Sequence, residues 1–260
     1  MATVDTGKLE VLYRKYNRKK FVHPDPLEFL YGYPDVRDRE IAGLVASSLA
    51  YGRVAQILTS VDRVLSRMGP SPRDYVENTS DESLTAVFRG FKHRFSTDSH
   101  LVGLLSGIRS VVLRYGSLNE CFMTGVGKGD VTILPGLELF ATSLGRDSNY
   151  LIPSPSRGSP CKRLNLFLRW MIRKDAVDPG GWEGVSPSKL IVPLDTHMAS
   201  IGQAFGFTGK KSHSLAMALE ITEAFRALVP EDPVRYDFAL TRFGIRSDLE
   251  MSDLLRTFCR

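Results

Sequence analysis

Two segments of the sequence, SPCKRLNLFLRWMIRK (159–174) and SPSKLIVPLDTHMASIGQ (186–203), decide how the rest of the chain is interpreted. Apolar residues recur at helical spacing in the first segment and predict a helix from position 160 or 161 to about Lys174. In the second, Ser186-Pro187 is typical of a helix start and predicts one turn. A longer helix is expected to begin just after Asp195. Both segments are therefore helical, and only folding can bring their polar residues into one site.

The remaining chain shows the same helical periodicity. Helices are predicted over residues 8–16, 26–33, 36–52, 54–69, 98–115, 117–124, 130–144, 211–228, 233–243 and 248–258, with short capped helices after Ser71 and Ser80. No alternation of strand length and no long repeat is visible. We therefore predict an all-α protein with two helical subdomains and a cleft between them. The central subdomain is residues 36–150, and the terminal one is residues 1–35 with 151–260.

Composition limits the class of protein. Hydrophobic residues make up 43% and charged residues 24% of the 260 residues, a balance that argues against disorder. No apolar run is long enough to span a membrane, and the N-terminus lacks the apolar core of a secretory signal. The three cysteines, Cys121, Cys161 and Cys259, are widely spaced. They predict a reducing, cytoplasmic location and exclude a four-cysteine iron–sulfur cluster. The net charge of +5 permits a polyanionic partner but equally fits a solvated basic surface.

Lys162 is a candidate nucleophile. A lysine becomes nucleophilic when a nearby cation or a helix N-terminus disfavours its ammonium form, and it can then attack an electrophilic carbon to form a Schiff base. Lys162 lies in the first turn of its predicted helix, beside Arg163 and close to Arg157. The alternative is an ordinary lysine that points into solvent.

Asp195 is a candidate catalytic carboxylate. It stands where an aspartate is expected to cap a helix, and capping alone would explain its presence. A carboxylate held there stays ionised, so it could also stabilise a developing cation or orient an amine or water. His197 lacks a second ligand at matching spacing, so we expect a packing or hydrogen-bonding role for it and no zinc, other metal or cofactor.

Three stretches resemble the helix-hairpin-helix DNA glycosylase superfamily. PLDTHMASIGQAFGF (193–207) resembles the segment with the catalytic aspartate, and DREIAGLVASSLAYGRVAQILTSVDRVL (38–65) resembles the early helix pair. PEDPVRYDFALTRFGI (230–245) resembles the late helix. The long interval from Lys162 to Asp195 is similar to that of the archaeal 8-oxoguanine DNA glycosylase branch. The string from KRLNLFLRWM to VPLDTH also resembles an uncharacterised bacterial family related to this fold.

The resemblance implies base excision from double-stranded DNA by a monomer, with Lys162 as the Schiff-base lysine and Asp195 as the catalytic aspartate. A damaged base, such as an oxidised purine, would be flipped into a pocket between the subdomains, with or without subsequent strand cleavage. The resemblance also implies roles for further residues. A phosphate would be held by Arg157, Gly158 and Arg163. The base would be contacted by Tyr51, Arg53 and Trp182, and the alternative for each of these three is core packing or simple surface exposure.

One departure from the superfamily pattern keeps other functions open. Most relatives have a leucine-proline-glycine-x-glycine turn before the lysine helix, whereas SRGSPCKRL (156–164) has Gly158 and then Pro160 where the second glycine would stand. A nucleic-acid-binding protein that keeps the fold without the chemistry fits this departure. An enzyme acting on modified nucleosides in RNA, and a helical interaction protein in which Lys162 and Asp195 are merely surface and cap, also remain open.

Overall fold

The computed structural model describes residues 4–145 and 150–258, and it has the predicted all-α class. The helices are α1 (Thr6–Tyr16), α2 (Val36–Ser48), α3 (Val54–Met68), α4 (Pro72–Asn78), α5 (Asp81–Phe88), α6 (Asp98–Tyr115), α7 (Leu118–Met123), α8 (Leu134–Ser143), α9 (Lys162–Ile172), α10 (Thr196–Ala204), α11 (Leu215–Leu228), α12 (Asp237–Ile245) and α13 (Met251–Phe258). Short 3₁₀ turns occupy Lys19–Phe21, Pro26–Gly32, Pro155–Arg157 and Pro187–Lys189. Within the described ranges, no helix has the length and apolar character needed to cross a bilayer.

Side-chain caps set several of these helix starts. Asp35, Ser71 and Ser80 each accept a hydrogen bond from a backbone N–H in the first turn of α2, α4 and α5, as their positions predict. Each such cap stabilises its helix by about 1 kcal/mol. The start of α8 is later than predicted, at Leu134, because Pro135 suits a first turn and not a helix interior.

A small antiparallel hairpin corrects the expectation that the chain has no strands. Strand β1 (Lys92–His93) pairs with β2 (Ser96–Thr97) through the registers Lys92–Thr97 and His93–Ser96. Two-residue strands are too short to give a periodic signal in the sequence. Contacts with residues distant in sequence hold the hairpin in place, as described below.

Helix α2 is the centre of the core. Its residues from Glu40 to Ser48 are all buried, so it is covered on every side by other elements. A Cβ atom at Gly43 would lie 3.3 Å from Leu30 and 3.4 Å from Phe167, which shows how closely α2 approaches α9. This packing brings the end of α2 against the start of α9 and so fixes where Lys162 lies.

Candidate active site

A cavity of about 400 Å³ contains both candidate catalytic residues. Lys162 lines it from the start of α9, and Asp195 lines it from the start of α10. Its walls come from both sides of the predicted subdomain boundary. They include Pro24, Asp25, Ala50, Tyr51, Gly52, Val54, Ile57, Arg169, His197, His213, Asp237, Thr241 and Arg242.

A two-step turn positions Lys162. Gly158 has a φ of +74°, and Cys161, the residue just before α9, has a φ of +47°. A left-handed conformation is uncommon for a residue with a side chain, and such residues concentrate at functional sites. The turn therefore has two left-handed residues, Gly158 and Cys161. Pro160, which stands at the position of the second glycine in the superfamily pattern, is not one of them. Lys162 is half-buried, and its Nζ donates to the carbonyl oxygen of Ala50 at 3.3 Å.

Asp195 caps α10, as predicted, because its Oδ1 accepts from the backbone N–H of Met198 at 2.8 Å. The capped helix end places this carboxylate on the cavity wall. Capping and a chemical role are compatible, because the cap uses Oδ1 and the carboxylate still lines the cavity.

A second carboxyl, Asp237, lies in the cavity floor and was missed in the sequence. It is the first residue of α12, is 3% exposed, and has Oδ2 paired with the Arg169 guanidinium, while its Oδ1 has no partner. Burial raises the pKa of Asp237 to about 6; Arg169 opposes this shift, and the nearby charge of Asp195 adds to it. Of the three carboxyls that line the cavity, Asp195 caps a helix and Asp237 is buried beside Arg169, so these two lie in contrasting environments; the third is Asp25.

Buried arginines complete the floor. Burial disfavours the Arg169 guanidinium, but the carboxylates of Asp178 and Asp237 outweigh this effect and raise its pKa. Arg242 is 1% exposed and donates to Asp25 at 2.7 Å, leaving its Nε and Nη1 without partners. Charged residues inside apolar helical stretches, such as Arg169 in LNLFLRWMI (164–172), were the signal in the sequence that could have identified this floor.

Tyr51, predicted as a base contact, lines the cavity. Arg163 differs from its expected role as a phosphate ligand. It donates to the carbonyl oxygens of Ser48 and Tyr150, and its guanidinium lies 5.2 Å from the Tyr51 ring centroid. Burial lowers its pKa. Arg163 therefore braces Tyr51 and the end of α2, and its donors point inwards.

The other predicted site residues are not among those that line the cavity. Trp182 corrects a prediction: it is 5% exposed, donates to Glu40 at 2.8 Å and packs edge-on against Phe167 in the core, so it cannot contact a base there. Arg53 is exposed at the start of α3, next to lining residues. Arg157 and Gly158 are exposed in the turn before α9.

His197 lines the cavity and packs against α12. An added Cβ at Gly244 would overlap its ring, so only glycine fits there. Among the residues that the structure describes, no three His, Cys, Asp or Glu side chains stand close enough to hold a metal ion. Cys121 and Cys161 are buried free thiols, and burial raises the pKa of Cys161 to about 11. Cys259 lies outside the described residues.

Together these observations define an all-α protein with a polar cavity lined by a lysine, three carboxyls (Asp25, Asp195 and Asp237) and buried arginines. The chain belongs to the family described as protein of unknown function (DUF2400), which matches residues 25–246. The matched range contains Lys162, Asp195, Asp237 and the hairpin. No curated protein and no solved structure matches the chain.

Proposed function

We propose that this protein is a DNA glycosylase that removes a damaged base through Lys162 and Asp195. The observation that carries the proposal is their position: two residues from separate helices line one cavity of about 400 Å³. That volume lies within the usual range of small-molecule pockets. A surface lysine and an isolated helix cap would have no reason to share a cavity.

The chemistry follows from the two groups. The lone pair of a neutral Lys162 Nζ attacks the sugar C1′, the bond between C1′ and the base nitrogen breaks, and the base leaves with the bonding electrons and takes up a proton. The Asp195 carboxylate stabilises the positive charge that develops on the sugar. The attached nitrogen then loses a proton, and its lone pair forms the C1′=N bond as the C1′–O4′ bond breaks. O4′ takes up a proton, so the sugar ring opens and a protonated Schiff base joins Lys162 to C1′.

Strand cleavage can follow from this intermediate. The Schiff base makes the C2′ hydrogen acidic, and its removal expels the 3′ phosphate as the leaving group. This elimination would give the enzyme lyase activity in addition to glycosylase activity. An oxidised purine in duplex DNA is the first substrate to test, with the protein acting as a cytoplasmic monomer.

The net charge is compatible with a polyanionic partner. The net charge is +5, and positive surface charge supplies most of the non-specific affinity for DNA. Arg53 is exposed and stands between the lining residues Gly52 and Val54 in sequence, and Arg157 is exposed in the turn that precedes α9. We assign the phosphate contacts to these arginines and to the turn at Gly158, and not to Arg163.

Base release from duplexes containing an oxidised purine tests the proposal. Wild type should release the base, whereas Lys162→Gln and Asp195→Asn should each lose activity by about 10²-fold or more. Lys174→Gln is the matched control, because Lys174 is exposed just beyond the C-terminal end of the same helix. Equal activity in all four proteins would refute the assignment, and binding without any release would indicate a non-catalytic DNA-binding protein.

A further inference from the structure

The β1–β2 hairpin exposes a large aromatic side chain at its tip. Arg94 and Phe95 form the turn between the strands, and Phe95 is 68% exposed. A phenylalanine at this position adds nothing to the core and leaves apolar surface in water. Such surface on a short, rigid projection is typical of a contact with another molecule.

The hairpin is fixed beside the cavity. The Tyr51 hydroxyl lies 2.9 Å from the carbonyl oxygen of His93 and 2.6 Å from Ser96 Oγ, while His93 Nε2 lies 3.1 Å from the carbonyl oxygen of Tyr51. The Tyr51 and His93 rings meet edge to face at 4.7 Å. His93 Nδ1 is 2.8 Å from Ser60 Oγ in α3. Because Tyr51 also lines the cavity, the hairpin has a defined position next to the cavity mouth.

The stem of Arg94 closes the gap between the hairpin and the cavity rim. A Cβ atom at Gly52 would stand 2.5 Å from Arg94 Cδ, and Gly52 itself lines the cavity. Gly52 also has a φ of +101°, so two constraints require glycine there. The absence of a side chain at Gly52 therefore leaves room for the Arg94 side chain, which packs there and fixes the hairpin beside the cavity.

The hairpin tip carries positive charge. Lys92 and Arg94 are exposed on either side of the turn, and the Arg94 guanidinium lies 5.4 Å from the Phe95 ring centroid. Neither cation has an ion-pair partner among residues 4–145 and 150–258. The nearby carboxylate of Asp98 accepts instead from the backbone N–H groups of Gly90 and Ser99. An aromatic ring between two free cations matches a base stack between two phosphate strands.

We propose that the hairpin is a wedge whose Phe95 enters the DNA base stack beside the flipped nucleotide, while Lys92 and Arg94 contact the flanking phosphates. This inference rests on the proposed function, because it places duplex DNA across the cavity mouth. Turning a base out of the helix costs stacking energy, and an inserted apolar side chain replaces part of the lost contact. The wedge therefore favours DNA in which the base has already left the stack.

Binding to two duplexes of one sequence, one intact and one with a tetrahydrofuran abasic analogue, tests the wedge without requiring chemistry. Wild type should prefer the abasic duplex, and Phe95→Ala should reduce that preference about tenfold, which corresponds to ~1.4 kcal/mol. Phe95→Trp should retain the preference. Leu113→Ala is the matched control, because Leu113 is 67% exposed on α6 and should leave the preference unchanged.

The outcomes separate the wedge from the proposed function. If wild type binds neither duplex, both proposals fail. If wild type prefers the abasic duplex and Phe95→Ala keeps that preference, only the wedge is overturned; an equal loss in Leu113→Ala overturns it as well. Lys92→Gln and Arg94→Gln should each reduce the slope of log affinity against log salt by about one unit. An unchanged slope in both variants contradicts the phosphate contacts.

Discussion

Asp195 offers a test that separates its structural role from its chemical role. Its Oδ1 caps α10 through Met198, so Asp195→Ala removes the cap and should destabilise the protein by about 1 kcal/mol. For a chain of this size, that change lowers the melting temperature by about 2–4 °C. Asparagine caps as well as aspartate, so Asp195→Asn should keep the melting temperature close to wild type.

A chemical role for Asp195 predicts that the two variants lose base release equally, although they differ in stability. Both variants lose the carboxylate that stabilises the cationic sugar, so base release should fall about 10²–10³-fold in each. Thermal unfolding and single-turnover base release, measured on the same preparations, give the two quantities. The reasoning would be refuted if Asp195→Asn kept the wild-type rate, or if the rates of both variants followed only their loss of folded protein.

Three further predictions concern the cavity and the hairpin. Burial raises the pKa of Asp237 to about 6, so base release should slow as the pH falls through 6 and the cavity loses that negative charge; Asp237→Asn should remove this step from the pH–rate profile. Gly244→Ala should destabilise the fold by about 1–3 kcal/mol in denaturant unfolding, because the new methyl group overlaps His197, and a normal midpoint would contradict that contact. Burial lowers the pKa of His93 in the folded protein, so protonation of this ring favours the unfolded chain. The protein should therefore keep its full stability above about pH 6.5 and lose part of it as the pH falls below that value. An NMR titration of the His93 ring checks this, and a pKa above the ordinary value would contradict it.

Much of the fold could be predicted from local patterns in the sequence. Periodicity gave α6 its observed bounds of Asp98–Tyr115, and capping preferences located the starts of α4, α5 and α10. These features depend on neighbours within one turn, which the sequence displays directly. The same local rules predicted a helix start at position 160 or 161, with Lys162 in the first turn, whereas the observed helix begins at Lys162 itself.

Long-range contacts explain what the sequence left open. Trp182 was a candidate base contact, yet its ring is buried in the core against Phe167. Arg163 was predicted to bind a phosphate, but in the folded protein it donates to the backbone carbonyl oxygens of Ser48 and Tyr150. Asp237 gave no local sign of lying beside Asp195. The hairpin was invisible because Tyr51, 42 residues from His93, holds it in place.

The central claim is that Lys162 attacks the sugar carbon, and borohydride trapping tests it most directly. Borohydride reduces the C=N bond of a Schiff base and leaves a permanent protein–DNA link. On duplexes with an abasic site, wild type and Lys174→Gln should become cross-linked, and Lys162→Gln should not. Cross-linking of wild type and Lys162→Gln to the same extent would contradict the claim, as would failure of wild type to cross-link.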